Sequence, residues 1–487
     1  MVLKEEDISA ISATADRNDM SFCSYWSILI MAIPMILAMT GQTLMHFLDG
    51  IFLARYSNEA IAAAGPAGMT SWLLISLFNG AAGFTSTFVA QYKGAGRTDH
   101  IGSSVWQGIY FGIITGAVIA LFGTFFGYKI FELARHDPAI VPLESTFFII
   151  NCWSAPLSII SSAVSGFFSG RGDMKRLMAI QVLGQAVNGV LAYGMIFGRF
   201  GFSEGGIAGA ATASLIAQGF VCLTLLAAMF HADRQGKFGV WAGRRFNHEL
   251  FVRFFRFGLP NGFRFFFEML AWTVFLLFVG RIGEMDIAAT NIAWRINMFA
   301  FFPMIGLSIA IQTIVGQAQG MDRPDISTRC GWRGLIMTQI WMISFGLLFI
   351  LFPEPLVSLF RENGQASAAM MQTLDLTKTL LRYVAVYCLL DGISVVTVGA
   401  LQGAGDTRWT MIASVIMHGG FITVMALMDY MHAGLHAFWA VATGFVMLIA
   451  LVWLSRFISG KWKTMKVIEP SEISPTLPPT SAKATAD

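Results

Sequence analysis

The sequence predicts an all-α integral membrane protein, with twelve transmembrane helices in two six-helix lobes related by a parallel pseudo-twofold repeat. Three observations predict it. The chain is 55% hydrophobic and 13% charged, with a mean hydropathy of +0.64, whereas a soluble domain carries about 25% charged residues. Long apolar runs follow one another along most of its length. One pattern is also written twice, at a constant offset of 226 residues and without a gap. Pro34 falls on Pro260, Arg55 on Arg281, Gly80 on Gly306, and Gln91, Gly94 and Arg97 on Gln317, Gly320 and Arg323. A second echo pairs GFFSGRGDMK (166–175) with GALQGAGDTR (399–408). A period this long is no solenoid repeat. It is a duplicated half, the pattern of a secondary transporter.

A bilayer core about 30 Å thick requires about 20 apolar residues of helix. Six runs meet that length near 25–54, 59–90, 100–127, 143–168, 174–198 and 207–231. Six more lie near 249–281, 285–317, 328–352, 372–402, 408–430 and 434–458. Pro and Gly interrupt several of them, which a bundle tolerates where neighbours satisfy the freed backbone groups. The chain therefore divides into a tail (1–24), an N-lobe (25–231), a polar linker (232–248), a C-lobe (249–458) and a second tail (459–487), rich in Pro, Ser and Thr and expected to be disordered. An even number of spans per half points both halves the same way, with the pseudo-twofold along the membrane normal.

Lys and Arg set the orientation. Lys93, Arg97, Arg171, Lys175, Arg176, Arg234, Lys237, Arg244, Arg245, Arg323, Arg329, Arg333 and Arg408 fall in loops on one side. The other side holds little beyond Arg55, Lys129, Arg135, Arg199, Arg281 and Arg361. That asymmetry predicts both termini in the cytoplasm. These basic residues act as topology signals, and no nucleic-acid partner is expected. The five Cys are scattered without a CxxC pair, which argues against a disulfide framework and a structural zinc site. No phosphate-binding loop or hydrolase nucleophile stands out, so neither ATP hydrolysis nor another enzyme activity is expected, and no cofactor.

An ionisable residue at bilayer depth is costly and is a functional candidate by default. Asp49, Glu268, Asp391, Arg264 and Arg295 stand out. Glu268 and Asp391 fall near the middle of their runs, whereas Asp49 lies about 36 Å beyond Tyr25 along an unbroken helix. A carboxylate in a low-dielectric site can hold a proton near neutral pH. It also suits Na⁺, a hard cation for a hard oxygen ligand. The plainer reading of each acid is a structural pair with an arginine or a contact at a helix terminus. Arg264 precedes Glu268 by four residues and shares its helix face. It either neutralises Glu268 or biases a cavity toward anionic or zwitterionic compounds. Arg295 either completes a network with Asp391 or snorkels. Tyr387, one turn before Asp391, either supports a cation with its ring or simply packs. His46 precedes Asp49 by three residues; a satisfied polar residue is the commoner reading and a proton relay the rarer. Asp173 and Asp406, in the echoed Gly-rich turns, are expected to brace loops.

Four segments resemble the MATE (multidrug and toxic compound extrusion) family. PMILAMTGQTLMHFLDGIFLAR (34–55) looks like its first helix, and VAQYKGAGR (89–97) like the signature ending its second. GLPNGFRFFFE (258–268) and VAVYCLLDGISVVTVGALQGAGD (384–406) resemble its seventh and tenth helices. Acids on both of these place the chain nearer the NorM-type branch. The resemblance implies an antiporter in a bacterial inner membrane. Na⁺ or H⁺ would enter while an organic, often cationic and amphipathic compound leaves, by alternating access of two lobes within one monomer. It implies coupling-ion or substrate roles for Asp49, Glu268 and Asp391, with Na⁺ at Glu268 and Asp391 if Na⁺ is the ion, and it sets Asn188 opposite the first-helix acid. Arg264 departs from the family pattern. A flippase for a lipid-linked saccharide is the alternative within the wider superfamily.

Overall fold

The structure, a computed structural model, describes residues 23–134, 136–360 and 368–470. Most of the two predicted tails, together with Arg135 and Arg361, lies outside these residues. Among the described residues, twelve helices are long and apolar enough to cross a membrane. They are α1 (Tyr25–Tyr56), α2 (Asn58–Gly94), α3 (Thr98–Leu133), α4 (Val141–Arg171), α5 (Met174–Phe197) and α6 (Gly206–Ala232). The second half holds α7 (His248–Ile282), α8 (Glu284–Gly320), α9 (Pro324–Leu351), α10 (Met370–Ala404), α11 (Thr407–Tyr430) and α12 (Leu435–Ile458). Side-chain caps start three of them: Ser24, Ser57 and Asn247 accept from the backbone N–H of Ser27, Ala60 and Leu250. Each cap satisfies one amide that the helix itself leaves free. Large apolar side chains such as Phe125, Leu223, Ile340 and Ile416 point outward, as a lipid-facing surface requires.

Each half builds its own core. In the N-terminal half Phe84, Phe88, Phe111, Phe148 and Phe167 pack between α2, α3 and α4. In the C-terminal half Phe275, Phe421, Trp439 and Phe445 stack between α7, α11 and α12, with Phe421 and Phe445 centroids 4.3 Å apart. The halves meet where α1 runs along α8 and α2 along α7.

The duplicated pattern explains that meeting. Thr87 Oγ1 donates to the carbonyl of Gln402 at 3.2 Å, and its repeat partner Thr313 donates to that of Ser169 at 3.1 Å. Gln91 Nε2 donates to Gly403 O at 3.0 Å, and Gln317 Nε2 to Gly170 O at 2.8 Å. Each bond crosses between halves and recurs with the halves exchanged, the signature of a twofold axis. Gly94 and Gly320 are glycines because of this contact. A Cβ on Gly94 would stand 1.9 Å from Gln317 O, and one on Gly320 would stand 2.1 Å from Gln91 O. Close backbone approach continues through Gly316 against Ala90 and Gly306 against Ile36, up to Gly80 against Gly262. Gly80 lies about 21 Å along α2 from Gly94. The lobes are thus shut from the Lys/Arg-rich end to about mid-depth.

Two expectations need correction here. The tail was expected to be disordered from 459, yet residues 459–470 form a strap across the basic end. Trp462 is fully buried against Phe457, and Gln319 Nε2 donates to the carbonyls of Lys463 and Met465 at 2.6 and 3.0 Å. Val467 and Ile468 then enter the N-terminal core. Glu469 meets the Tyr92 hydroxyl at 3.0 Å and the guanidinium groups of Arg97 and Arg253. The strap so ties α12 to α2, α3 and α7. Second, Cys23 and Cys330 are disulfide-bonded, with Cα atoms 5.4 Å apart. A separation of 307 residues hid that pairing from the spacing of the cysteines.

Burial works to raise the Glu469 carboxyl, but its backbone amide, Tyr92, Arg97 and Arg253 outweigh burial and hold it below the usual glutamate range. A carboxyl depressed in the folded state contributes stability above its unfolded value and loses it as pH falls through the folded value. Acidification through that window is therefore expected to loosen the strap, and Glu469→Gln to loosen it at neutral pH. Limited trypsin digestion at Lys461, Lys463 and Lys466 reads this out. Equal protection in the variant and the parent would show that Glu469 does not hold the strap.

Candidate functional site

The C-terminal lobe gathers polar side chains from three helices into one cluster. On α7, Arg264 Nη1 donates to Glu268 Oε2 at 2.6 Å, so the four-residue spacing produces the pair it allowed. The remaining face of the guanidinium is met by α10. The Gln402 amide stands against it, and with its oxygen turned to Arg264 it accepts from Nε at 2.9 Å and Nη2 at 3.2 Å. That orientation is the one an arginine neighbour requires, since a guanidinium only donates. Asn261, one turn before Arg264, donates to the carbonyl of Gly80 at 2.8 Å and so ties the cluster to the other lobe. Arg264 is therefore engaged on both edges, and its side chain is only 13% exposed.

The third helix is α11. Ser414 Oγ donates to the Arg264 carbonyl at 3.3 Å. His418 follows one turn on, 3% exposed, with Nδ1 2.8 Å from the Ser414 carbonyl. A carbonyl only accepts, so Nδ1 carries a proton. The sequence reading passed over His418. The signal was present, because it is an ionisable residue inside an apolar run, the same criterion that singled out the acids.

Asp391, on α10, differs from Glu268. Among the described residues it has no hydrogen bond and no ion pair, while it lies within electrostatic reach of Glu268. Tyr387, one turn away, is buried at 5% exposure. Arg295 does not complete a network with Asp391. It is exposed, and its guanidinium sits 5.6 Å from the ring centroid of Phe47 on α1, the better partner because α1 and α8 run side by side. The cluster thus balances the charge of Glu268 with Arg264 and leaves that of Asp391 unbalanced.

A second polar site lies in the N-terminal lobe. Asn188 Nδ2, on α5, donates to Asp49 Oδ2 at 3.3 Å. Asp49 Oδ1 and Asn188 Oδ1 are buried acceptors without a hydrogen-bond donor among the described residues. An unsatisfied buried acceptor costs about 1–3 kcal/mol. His46 is exposed and no contact joins it to Asp49 among the described residues. Asp406 braces its loop as expected, accepting from Arg456 at 2.6 Å.

Comparison with known proteins covers most of the chain. The MatE family model matches residues 34–194 and 260–428, the two halves of the duplication. A "Probable multidrug resistance protein NorM" from Burkholderia pseudomallei is 28% identical over 431 residues, 88% of this chain and 91% of that protein. An outward-facing multidrug resistance MATE transporter of the MOP superfamily superposes with a TM-score of 0.77 at 23% identity, over 89% of this chain and 96% of that one. A MOP superfamily transporter from Pyrococcus furiosus, described as having a binding pocket of reverse polarity that suggests a different function, superposes with a TM-score of 0.79 at 22% identity, over 92% and 97%. At these identities the two structures speak for the fold.

Proposed function

This chain belongs to the MatE family, and we propose that within it the protein is a secondary antiporter, exporting cationic, amphipathic organic compounds in exchange for Na⁺ or H⁺. It is a multi-pass membrane transporter of the NorM-like branch, not an enzyme. The observation that carries the proposal is the unbalanced carboxylate of Asp391 in α10, within electrostatic reach of a Glu268 that is already answered by Arg264, itself held on its other edge by Gln402. An unpaired charge at bilayer depth is costly to keep, and a site that takes up an ion or a cationic compound in turn gives that cost a function. The multidrug description of the NorM relative supports a broad substrate range.

The N-terminal pair of Asp49 and Asn188 supplies a second place for the coupling ion, through two oxygens that lack donors. The twofold-related closure around Gly94 and Gly320 supports exchange by alternating access, with the lobes shut at the basic end. The Lys/Arg asymmetry supports a bacterial inner-membrane topology with that end in the cytoplasm, and one chain carrying both lobes fits a monomer. A flippase for lipid-linked saccharides needs free cations to hold pyrophosphate. Arg264 is engaged by Glu268 and Gln402, and Arg295 lies against Phe47.

Reconstituted protein, loaded with a fluorescent cation and exposed separately to a pH gradient and a Na⁺ gradient, tests this reading. One of the two gradients is expected to accelerate efflux above the leak of empty vesicles. Acceleration by neither would remove the antiport reading.

A further inference from the structure

We propose that Cys23 and Cys330 form a redox lock: oxidation of the two thiols to one disulfide pins the lobes together at the basic end and arrests transport, and reduction releases them. The inference rests on the two-lobe exchange proposed above.

The geometry assigns this pair. Cys23 stands just before α1 of the N-terminal lobe, and Cys330 lies near the start of α9 in the C-terminal lobe. Their Cα atoms are 5.4 Å apart, inside the roughly 4.4–6.8 Å that a disulfide spans without moving the backbone. The approach is held by other contacts as well. Arg333, one turn beyond Cys330, donates to the Cys23 carbonyl at 2.8 Å. Cys23 Sγ lies 3.6 Å from the Ile326 carbonyl, an acceptor for its S–H once the bond is reduced. The remaining cysteines, Cys152, Cys222 and Cys388, are free and buried.

Position makes the bond a lock. The pair lies at the end where Gly94 and Gly320 already bring the lobes into backbone contact, so a covalent link there joins surfaces that must part if this end is to open. Both residues have no exposed surface while this end is shut. A small-molecule disulfide therefore reaches them only when the lobes separate. One thiolate then attacks the oxidant and displaces a thiol, leaving a mixed disulfide. On reclosure the second cysteine attacks that bond and displaces the second thiol. The pair loses two electrons and two protons, and the oxidant leaves as two thiols. In a cytoplasm kept reducing, the pair rests as dithiol. It locks when the small-disulfide pool rises.

The full chain, carrying an inserted protease site beside Gln235 in the exposed linker, tests the proposal in proteoliposomes. After treatment with glutathione disulfide and cleavage, the two halves are expected to migrate together on a non-reducing gel, and gradient-driven efflux to fall to the leak. Dithiothreitol should part the halves and restore efflux. Cys23→Ser and Cys330→Ser should each transport normally and ignore the oxidant, so one well-folded variant suffices. Halves that separate despite oxidation would overturn the pairing. Halves that stay joined while efflux continues would overturn the lock. Loss of gradient-driven efflux in the reduced parent as well would remove the exchange reading beneath it.

Discussion

Asp391→Asn is expected to reduce gradient-driven efflux to the leak while the protein remains folded in the membrane. The charge it removes has no ion pair and no hydrogen bond among the described residues, so packing loses nothing that a similar-sized amide does not replace. Removing a charge that has no partner should leave the melting temperature in detergent unchanged or raise it. Transport at the parent rate and equal abundance would make Asp391 a structural residue. A large drop in melting temperature would mean that the carboxylate has a partner holding the fold.

Arg264→Ala should behave in the opposite way, losing stability first and function with it. Breaking a buried pair by removing one partner costs about 3–5 kcal/mol, because the other charge stays behind. Glu268 is 30% exposed, which places the expected loss at the lower end of that range, about 3 kcal/mol by the same principle. Gln402 also loses the donors that face its amide. Neutralising the stranded acid with Glu268→Gln in the same chain should recover much of the loss. A double-mutant cycle on melting temperature and membrane abundance measures that recovery. Additive losses would mean that the two side chains do not act as a pair. A well-folded Arg264→Ala with an altered preference for anionic over cationic compounds would instead give Arg264 a direct role with substrate.

Much of this molecule is legible in one dimension because its constraints are local or repeated. Bilayer thickness fixes the apolar runs, and the helices start and stop within about four residues of them, apart from the end of α3, which runs past 127 to Leu133. Duplication at a fixed offset announces the twofold axis, and the Gly94–Gly320 contact shows why those two glycines recur together. The Arg264–Glu268 pair follows from helical spacing alone. What remained hidden joins distant parts of the chain. Gln402 answers Arg264 across two helices, Arg295 meets Phe47 instead of Asp391, and Cys23 meets Cys330. The strap was misread for a related reason. It leads into a stretch rich in Pro, Ser and Thr, and only the tertiary fold supplies Arg97, Arg253 and Tyr92 to hold Glu469. His418 was missed although the rule that found the acids applies equally to it.

The proposed antiport is an exchange: a compound and an ion move in opposite directions through the same carboxylates. Coupling of this kind is reciprocal, so a gradient of the compound must drive the ion as surely as the reverse. The direct measurement imposes a gradient of a fluorescent cation across proteoliposomes and follows internal pH and internal Na⁺ with separate dyes. One of these ions is expected to move against the flow of the cation in the parent, and neither in Asp391→Asn. Cation flux in the parent without opposing movement of either ion, or ion movement undiminished in the variant, would contradict that exchange.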